Sequence, residues 1–433
     1  MHSGNIVYKT LTQAQVTEIC DRHERLWSGR SGGARASFAY TILSGLDLSR
    51  RDLSDADFTG AILSDANLSG TVLNSSSLYS VDLRRANLEG ASLRRADLRG
   101  AMLRGAVLTG ADLTETDLRE GVIARPDREK GLAIIKHETR AGEADEAKFT
   151  GANLTRSKMT GMVAQKADFT DAMLLGARLI RANLRGSCFS GANLEGADLS
   201  GADLSDADLS DSIMVKTNLT MAKLEGAHTS GALTEKPVGK TLETLGAPVA
   251  DLLADHILWC ETDGAQGRPS VFDGADLREL HTLAGKRLTA FQARGATLYG
   301  VDLEGAELQG ARLERADLRM ACLRGADLRG ADLTGARLNN ADLRDCKLGP
   351  LLIGKDRLMP ASLAAAKIRY ADLRGADLRR VRATGSDFSY SRLESCDVHH
   401  ALFTGSCFTG ARLSAGFTDD VEDAQGAVDL NAA

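Results

Sequence analysis

ANLEGASLRRADLRGAMLRGAVLTGADL, residues 86–113, places a leucine at every fifth position: Leu88, Leu93, Leu98, Leu103, Leu108 and Leu113. Neither common secondary structure accepts that step. On an α-helix five residues turn through about 500°, so the leucines would wind around the surface. On a straight strand an odd step sends alternate leucines to opposite faces. The period is satisfied if the chain turns a corner every five residues, making a square coil of about twenty residues whose sides each point one leucine inward. Two residues before each leucine stands a small one: Ala86, Ala91, Ala96, Ala101, Ala106 and Ala111. Positions two apart share a face, so the alanine also points inward. The residue between them, commonly Asp or Asn, then faces solvent, and Gly commonly follows where the chain bends.

The same period fills most of the chain. One series runs from Phe38 to Ile123, a second, one residue out of phase, from Phe149 to Leu224, and a third from Leu283 to Leu413. Ala326-Asp327-Leu328-Arg329-Gly330 and Ala202-Asp203-Leu204-Ser205-Asp206 carry the pattern A-(D/N)-L-x-G. This pattern resembles the pentapeptide-repeat family. The resemblance implies an all-β solenoid, a right-handed quadrilateral β-helix with stacked leucines as its core and hydrogen bonds between coils.

The breaks in the period carry the remaining information. Residues 10–27 read as an amphipathic helix, with Thr12 and Gln15 at capping-box spacing and Val16, Ile19, Cys20, His23 and Trp27 on one face. Residues 247–260 read as another, with Pro248 at its first turn. The two resemble each other: Asp21-Arg22-His23, Trp27, Gly32-Gly33, Arg35 and Phe38 parallel Asp255-His256, Trp259, Gly264, Gly267, Arg268 and Phe272. An internal duplication is expected, each helix covering the open end of the coil that follows, with His23, Trp27, His256 and Trp259 as structural cap residues. The expected layout is two β-helices in tandem. Residues 1–35 form a helical cap, 36–232 the first β-helix with an insertion at 124–148, 233–268 a linker and second cap, 269–416 the second β-helix, and 417–433 an acidic tail.

The insertion shifts the phase by one residue and gathers charge around an apolar patch, so a projecting loop or short helix is expected. It is either a tolerated insertion packed on the rod or a partner-binding loop, with Arg128, Lys130, Ile134, Ile135 and Lys136 as candidate contacts. Residues 349–360 disturb the pattern but keep the phase, which predicts a bulge or lateral loop. The tail is either a disordered solubilising segment or, since some family members dimerise through a C-terminal segment, a homodimer contact using Phe417, Val421 and Val428.

Composition narrows the function. The 433 residues include 4% aromatics and a net charge of −6. The seven cysteines lie far apart with no CxxC pair, which fits reduced thiols in a cytoplasmic protein. No apolar run approaches membrane-spanning length. No phosphate loop, HExxH or GxSxG appears, so no enzyme, cofactor or metal site is expected. His399-His400 has Cys396 and Cys407 nearby, but these point to opposite faces and do not converge on a metal.

The surface is therefore what remains. The family includes quinolone-resistance proteins that mimic DNA and engage gyrase, which calls for a continuous anionic face. Residues 38–123 carry 12 acidic and 9 basic side chains, or −3, whereas residues 272–413 carry 18 and 22, or +4. That mixed charge disfavours the mimic. Bands of arginine, Arg319, Arg324 and Arg329 and again Arg369, Arg374 and Arg379, either pair with outward aspartates or form a basic patch for an acidic protein partner. Nucleic acid is disfavoured because aromatic platforms are lacking. A non-enzymatic interaction scaffold or regulator is the first expectation, with a gyrase-directed protein and a structural spacer as alternatives.

Overall fold

The computed structural model describes residues 8–127, 131–354 and 356–430, of which 122–127 and 131–140 by their backbone alone. Leu88, Leu93, Leu98 and Leu103 are buried, and so are Ala86, Ala91, Ala96 and Ala101. Both inward rows are those the five-residue period demands. Asn67 pairs in parallel with Asn87, and Asn87 with Val107, twenty residues apart each time. Leu88 donates its N–H to Val107 O at 2.7 Å, and Asn87 donates to Ala66 O at 2.9 Å. Each coil thus satisfies its backbone against the coils before and after it. At each corner a turn closes, as where Ala91 N–H reaches Leu88 O at 3.0 Å around Gly90, which has φ 63°. Arg95 and Asp65 hold the same left-handed conformation at 57° and 59°. The ladder imposes it on them at a cost of about 1–2 kcal/mol each. Larger core residues stack in register: the rings of Phe149, Phe169 and Phe189 lie 4.8 and 4.7 Å apart along one column.

The chain divides into two compact units, Met1–Lys236 and Pro237–Ala433, each with its own core. In the first, β1 (Lys9–Thr10) pairs in parallel with β2 (Thr41–Ile42), and α1 (Gln13–Trp27) lies between them in sequence. The Thr12–Gln15 capping box forms. Val16 and Cys20 of α1 join the same buried cluster as Ala36 and Phe38. In the second unit α2 (Val249–Glu261) buries Leu253 and His256, with Pro248 at the N-cap rather than inside the first turn. The tryptophans are not the plugs that their bulk suggested. Trp27 is 56% exposed and Trp259 half-buried, because the helix turns its histidine inward and leaves the tryptophan at the edge of the buried stripe.

Register explains each interruption. Met102 pairs with Glu143 rather than with a residue twenty on, so 21 residues leave the coil, and 21 is one more than four pentapeptides. That is the phase shift. Those residues are neither a loop nor a helix but an antiparallel hairpin of β3 (Gly121–Asp127) and β4 (Gly131–Arg140). The insertion is also shorter than expected at its far end, since Ala144 and Ala147 are already buried in the core. Asp332 pairs with Ser362, thirty residues on, so ten residues leave there and the phase survives. They form a second hairpin of β5 (Leu351–Ile353) and β6 (Arg357–Met359).

Two single-residue shifts were not expected. Asp276 pairs with Thr297 but Thr282 with Asp302, which places one extra residue at the 3₁₀ turn Arg278–Leu280 and extends the core back to Phe272 and Leu277. Leu402 pairs with Asp423, and Phe403 donates to Asp423 O at 2.7 Å. Residues 417–430 are therefore built into the coil rather than hanging from it as a tail. Phe417 is 6% exposed and packs on Phe403 and Phe408, so it is not available to a dimer contact, whereas Val428 remains exposed. No described helix is long and apolar enough to cross a membrane.

Candidate functional site

Asp-Leu-Arg is the commonest charged unit of the surface, and its geometry follows from the strand. Asp and Arg two residues apart share the outward face, so the guanidinium folds back onto its own neighbour. Arg99 donates Nε to Asp97 Oδ1 at 2.8 Å and Nη2 to Oδ2 at 2.7 Å. The same two-pronged pair recurs at Asp82–Arg84, Asp117–Arg119, Asp342–Arg344 and others. Bidentate pairing of this kind is stronger and more directional than a single contact.

Four of the six arginines in the two bands belong to this unit. Arg319 grips Asp317 at 2.6 Å and is only 3% exposed. Arg329, Arg374 and Arg379 hold Asp327, Asp372 and Asp377 at 2.6, 2.6 and 2.8 Å. Arg324 lies 3.7 Å from Glu304 and 3.6 Å from Asp342, and Arg369 lies 3.5 Å from Asp387. All six candidate arginines are thus paired within the rod, as the aspartate alternative expected, and they do not form a bare basic patch. The carboxyls respond: burial works to raise Asp377, but the hydrogen bonds from Arg379 prevail and hold it below its ordinary value.

Of the candidate contacts in the first insertion, Arg128 and Lys130 lie outside the described residues. Ile134, Ile135 and Lys136 fall in β4, where the backbone alone is described.

The duplicated histidines are built alike. His23 accepts the Ala36 N–H on Nδ1 at 3.0 Å, and its Nε2 stands 2.9 Å from Ser54 O, to which it donates when neutral. His256 accepts the Ser270 N–H on Nδ1 at 2.9 Å. Both are fully buried. Each takes a backbone N–H of the segment leading into its coil, a bond that needs the unprotonated nitrogen. Burial pushes His256 below its usual pKa of 6.5.

Nucleophile and metal geometry are sparse. All seven cysteines are free. Burial raises Cys20 to about 11 and Cys396 to about 12, which keeps both as thiols. Asp302, Glu304 and Cys322 bring ligand-type atoms within 4.8 Å of one another, beside Arg324. His399 contacts Asp397 at 2.6 Å and Asp420 at 3.4 Å, and Cys396 turns instead to Leu373 O.

The family model described as Pentapeptide repeats matches residues 52–120, 147–226, 287–349 and 361–415, in overlapping or adjoining copies. Similar solved structures include HetL, a pentapeptide repeat protein involved in heterocyst differentiation regulation from the cyanobacterium Nostoc sp. strain PCC 7120. It is 24% identical over 75% of this chain and 93% of that one, with a TM-score of 0.27. QnrB1, a plasmid-mediated fluoroquinolone resistance protein, is 17% identical over 46% of this chain and 86% of its own, with a TM-score of 0.22. A pentapeptide repeat protein of the Arabidopsis thaliana thylakoid lumen is 29% identical over 27% and 66%, with a TM-score of 0.20. No curated protein matches the chain. With the repeat matched over more than half its length and laid down as parallel coils of twenty residues, the chain belongs to the pentapeptide-repeat family of right-handed β-helical solenoids.

Proposed function

We propose that the chain is a non-enzymatic interaction scaffold or regulator acting on a protein partner in the cytoplasm. It consists of two solenoids, each begun by a helix that covers its first coil. One observation carries the reading. A hairpin of 21 residues leaves the first unit and one of ten leaves the second, while in each the ladder continues in register, Met102 with Glu143 and Asp332 with Ser362. A rigid ladder with two-stranded arms at fixed corners is suited to presenting recognition elements, the usual role of excursions from a solenoid. The free cysteines fit a reducing compartment.

The capping role of α1 and α2 is supported by Val16, Cys20, His23, Leu253 and His256, which cover apolar surface and backbone that a first coil would otherwise expose. No observation favours a gyrase-directed DNA mimic: the outward aspartates are interspersed with arginines, and Asp97, Asp327 and Asp377 are among those paired with the arginine two residues on.

The test is a deletion that respects the register. Removing residues 121–141 joins Glu120 to Gly142 and restores the twenty-residue step. This variant should keep the far-ultraviolet circular dichroism of the rod and lose the partner that the full chain captures. Capture unchanged by the deletion refutes the hairpin's role, and inhibition of supercoiling by purified gyrase would revive the mimic.

A further inference from the structure

In the first unit Arg84, Arg99 and Arg119 are each held by an aspartate two residues earlier, whereas one side of the coil gathers cations that have none. Arg156, Lys158, Arg178 and Arg181 are exposed. Lys158 and Arg178 are neighbours in the parallel register, so their side chains emerge about 4.8 Å apart, with Asp117 the register neighbour of Lys158 on the coil before and Asp198 that of Arg178 on the coil after. Arg156 and Arg181 stand at the two corners that bound this side, at φ 56° and 55°. The sides themselves, Ser157-Lys158-Met159-Thr160 and Ala177-Arg178-Leu179-Ile180, contain no carboxylate. Lys158, Arg178 and Arg181 form no ion pair among the described residues, and Arg156 reaches only Glu115, at 3.8 Å with both groups largely in solvent.

Carboxylates on the preceding coils are occupied. Asp97 and Asp117 are gripped by Arg99 and Arg119 at 2.7 Å each. On the following coil Asp198 accepts from the Ser200 N–H and the Asn218 amide. Arg95, Arg156 and Lys158, together with Asp97, Glu115 and Asp117, line an open groove beside the same face. The β3–β4 hairpin also leaves the rod from this face's edge. Gly121, where β3 begins, packs so closely on Arg99 and Gly100 that a Cβ there would meet backbone at 2.9 Å. Further along the same corner, Gly161 donates to Ile180 O, directly before Arg181.

We infer that the face carrying Arg156, Lys158, Arg178 and Arg181, beside the β3–β4 hairpin, is a docking surface for an acidic segment of a protein partner. The inference rests on the reading of the chain as a protein-binding scaffold and specifies where and with what charge it binds. A short segment with a few carboxylates matches a cationic area about two coils, or roughly 10 Å, deep, bounded by Asp117 and Asp198. A nucleic-acid duplex, with one phosphate charge per about 1.7 Å of axis, would overrun it onto Asp97, Asp117 and Asp198. The face offers Thr160 and Ile180 rather than aromatic rings for base stacking.

A fluorescein-labelled ten-residue oligoglutamate, followed by anisotropy at low ionic strength, is the probe. The full chain should bind it, K158E/R178E should weaken binding by about tenfold or more, and R50E/K166E should leave it unchanged. The control pair carries the same change in net charge at the two corners that do not bound this face. All three proteins should give the same circular dichroism, since every substituted side chain points into solvent. No binding by the full chain, equal weakening by both pairs, or tighter binding of a duplex DNA of equal charge would overturn the inference. If K158E/R178E captures the cellular partner as well as the full chain does, while deletion of 121–141 abolishes capture, this face is refuted and the scaffold reading stands.

Discussion

Replacing Phe169 by alanine tests the column packing most sharply. The ring is fully buried and stacked between Phe149 and Phe189, with centroids 4.8 and 4.7 Å away. Truncating a buried phenylalanine costs about 3–5 kcal/mol, of which each lost ring pair accounts for about 0.5–1.5 kcal/mol. Neighbouring coils cannot close the void, because their own hydrogen bonds fix their spacing. In a unit of this size each kcal/mol moves the melting temperature by about 2–4 °C, so Phe169→Ala should lower the transition of the first unit by roughly 6–20 °C. Differential scanning calorimetry reads this directly. Phe169→Leu, which installs the residue used at most equivalent positions, should lose about 1 kcal/mol. Arg178→Ala, on the outward face, should stay within about 0.5 kcal/mol of the parent. A Phe169→Ala midpoint within 2–3 °C of the parent would refute the account of a close-packed column.

Three further outcomes follow from the same structure. Asp317→Ala leaves the nearly buried Arg319 without its anion and should cost about 3 kcal/mol or more, whereas Asp377→Ala beside the exposed Arg379 should cost under about 1 kcal/mol; chemical denaturation compares them. Deleting residues 121–141 should leave the denaturation midpoint of the first unit within about 1 kcal/mol, because the coil is rejoined in register. His256 is held below its usual 6.5 by burial, so the unfolded chain takes up its proton first and stability falls as pH drops below about 6.5. His399 works the other way, raised by its hydrogen bond to Asp397 and the charge of Asp420, so its contribution is present below about 6.5 and lost as pH rises. The readout is therefore a difference: between pH 7.5 and 5.5 the second unit of the parent should lose more stability than that of His256→Asn.

The coil was legible because its rule is local. A leucine every fifth residue with alanine two before it admits one geometry; a shift in the phase of the leucines marked the first insertion and a break in the pattern, with the phase kept, marked the second. The form of those insertions was not legible. Nothing in 121–140 or 351–359 alternates strongly enough to distinguish a hairpin from a loop or helix. The extra residue between Leu277 and Leu283, and the coil closed by Phe417, escaped for a related reason: a single-residue bulge breaks the period while the hydrogen-bond ladder continues across it. The arginines were readable in principle, because an aspartate two residues earlier on a strand is always within reach. Arg99, Arg329 and Arg379 have one and are held by it, whereas Arg156, Arg178 and Arg181 do not; pairs formed between coils, such as Arg369 with Asp387, leave no such mark in the sequence. Trp27 misled because bulk suggested burial, while its position on the helix placed it at the edge.

The most direct test of a rod that works by surface recognition is a scan with a photoreactive amino acid in the intact chain, in living cells. It would be placed in turn at Lys158, Arg178, Arg50 and Lys166. The account predicts a discrete protein adduct from positions 158 and 178, lost on deletion of 121–141, and none from 50 or 166. Adducts from all four positions alike, or from none, would contradict it.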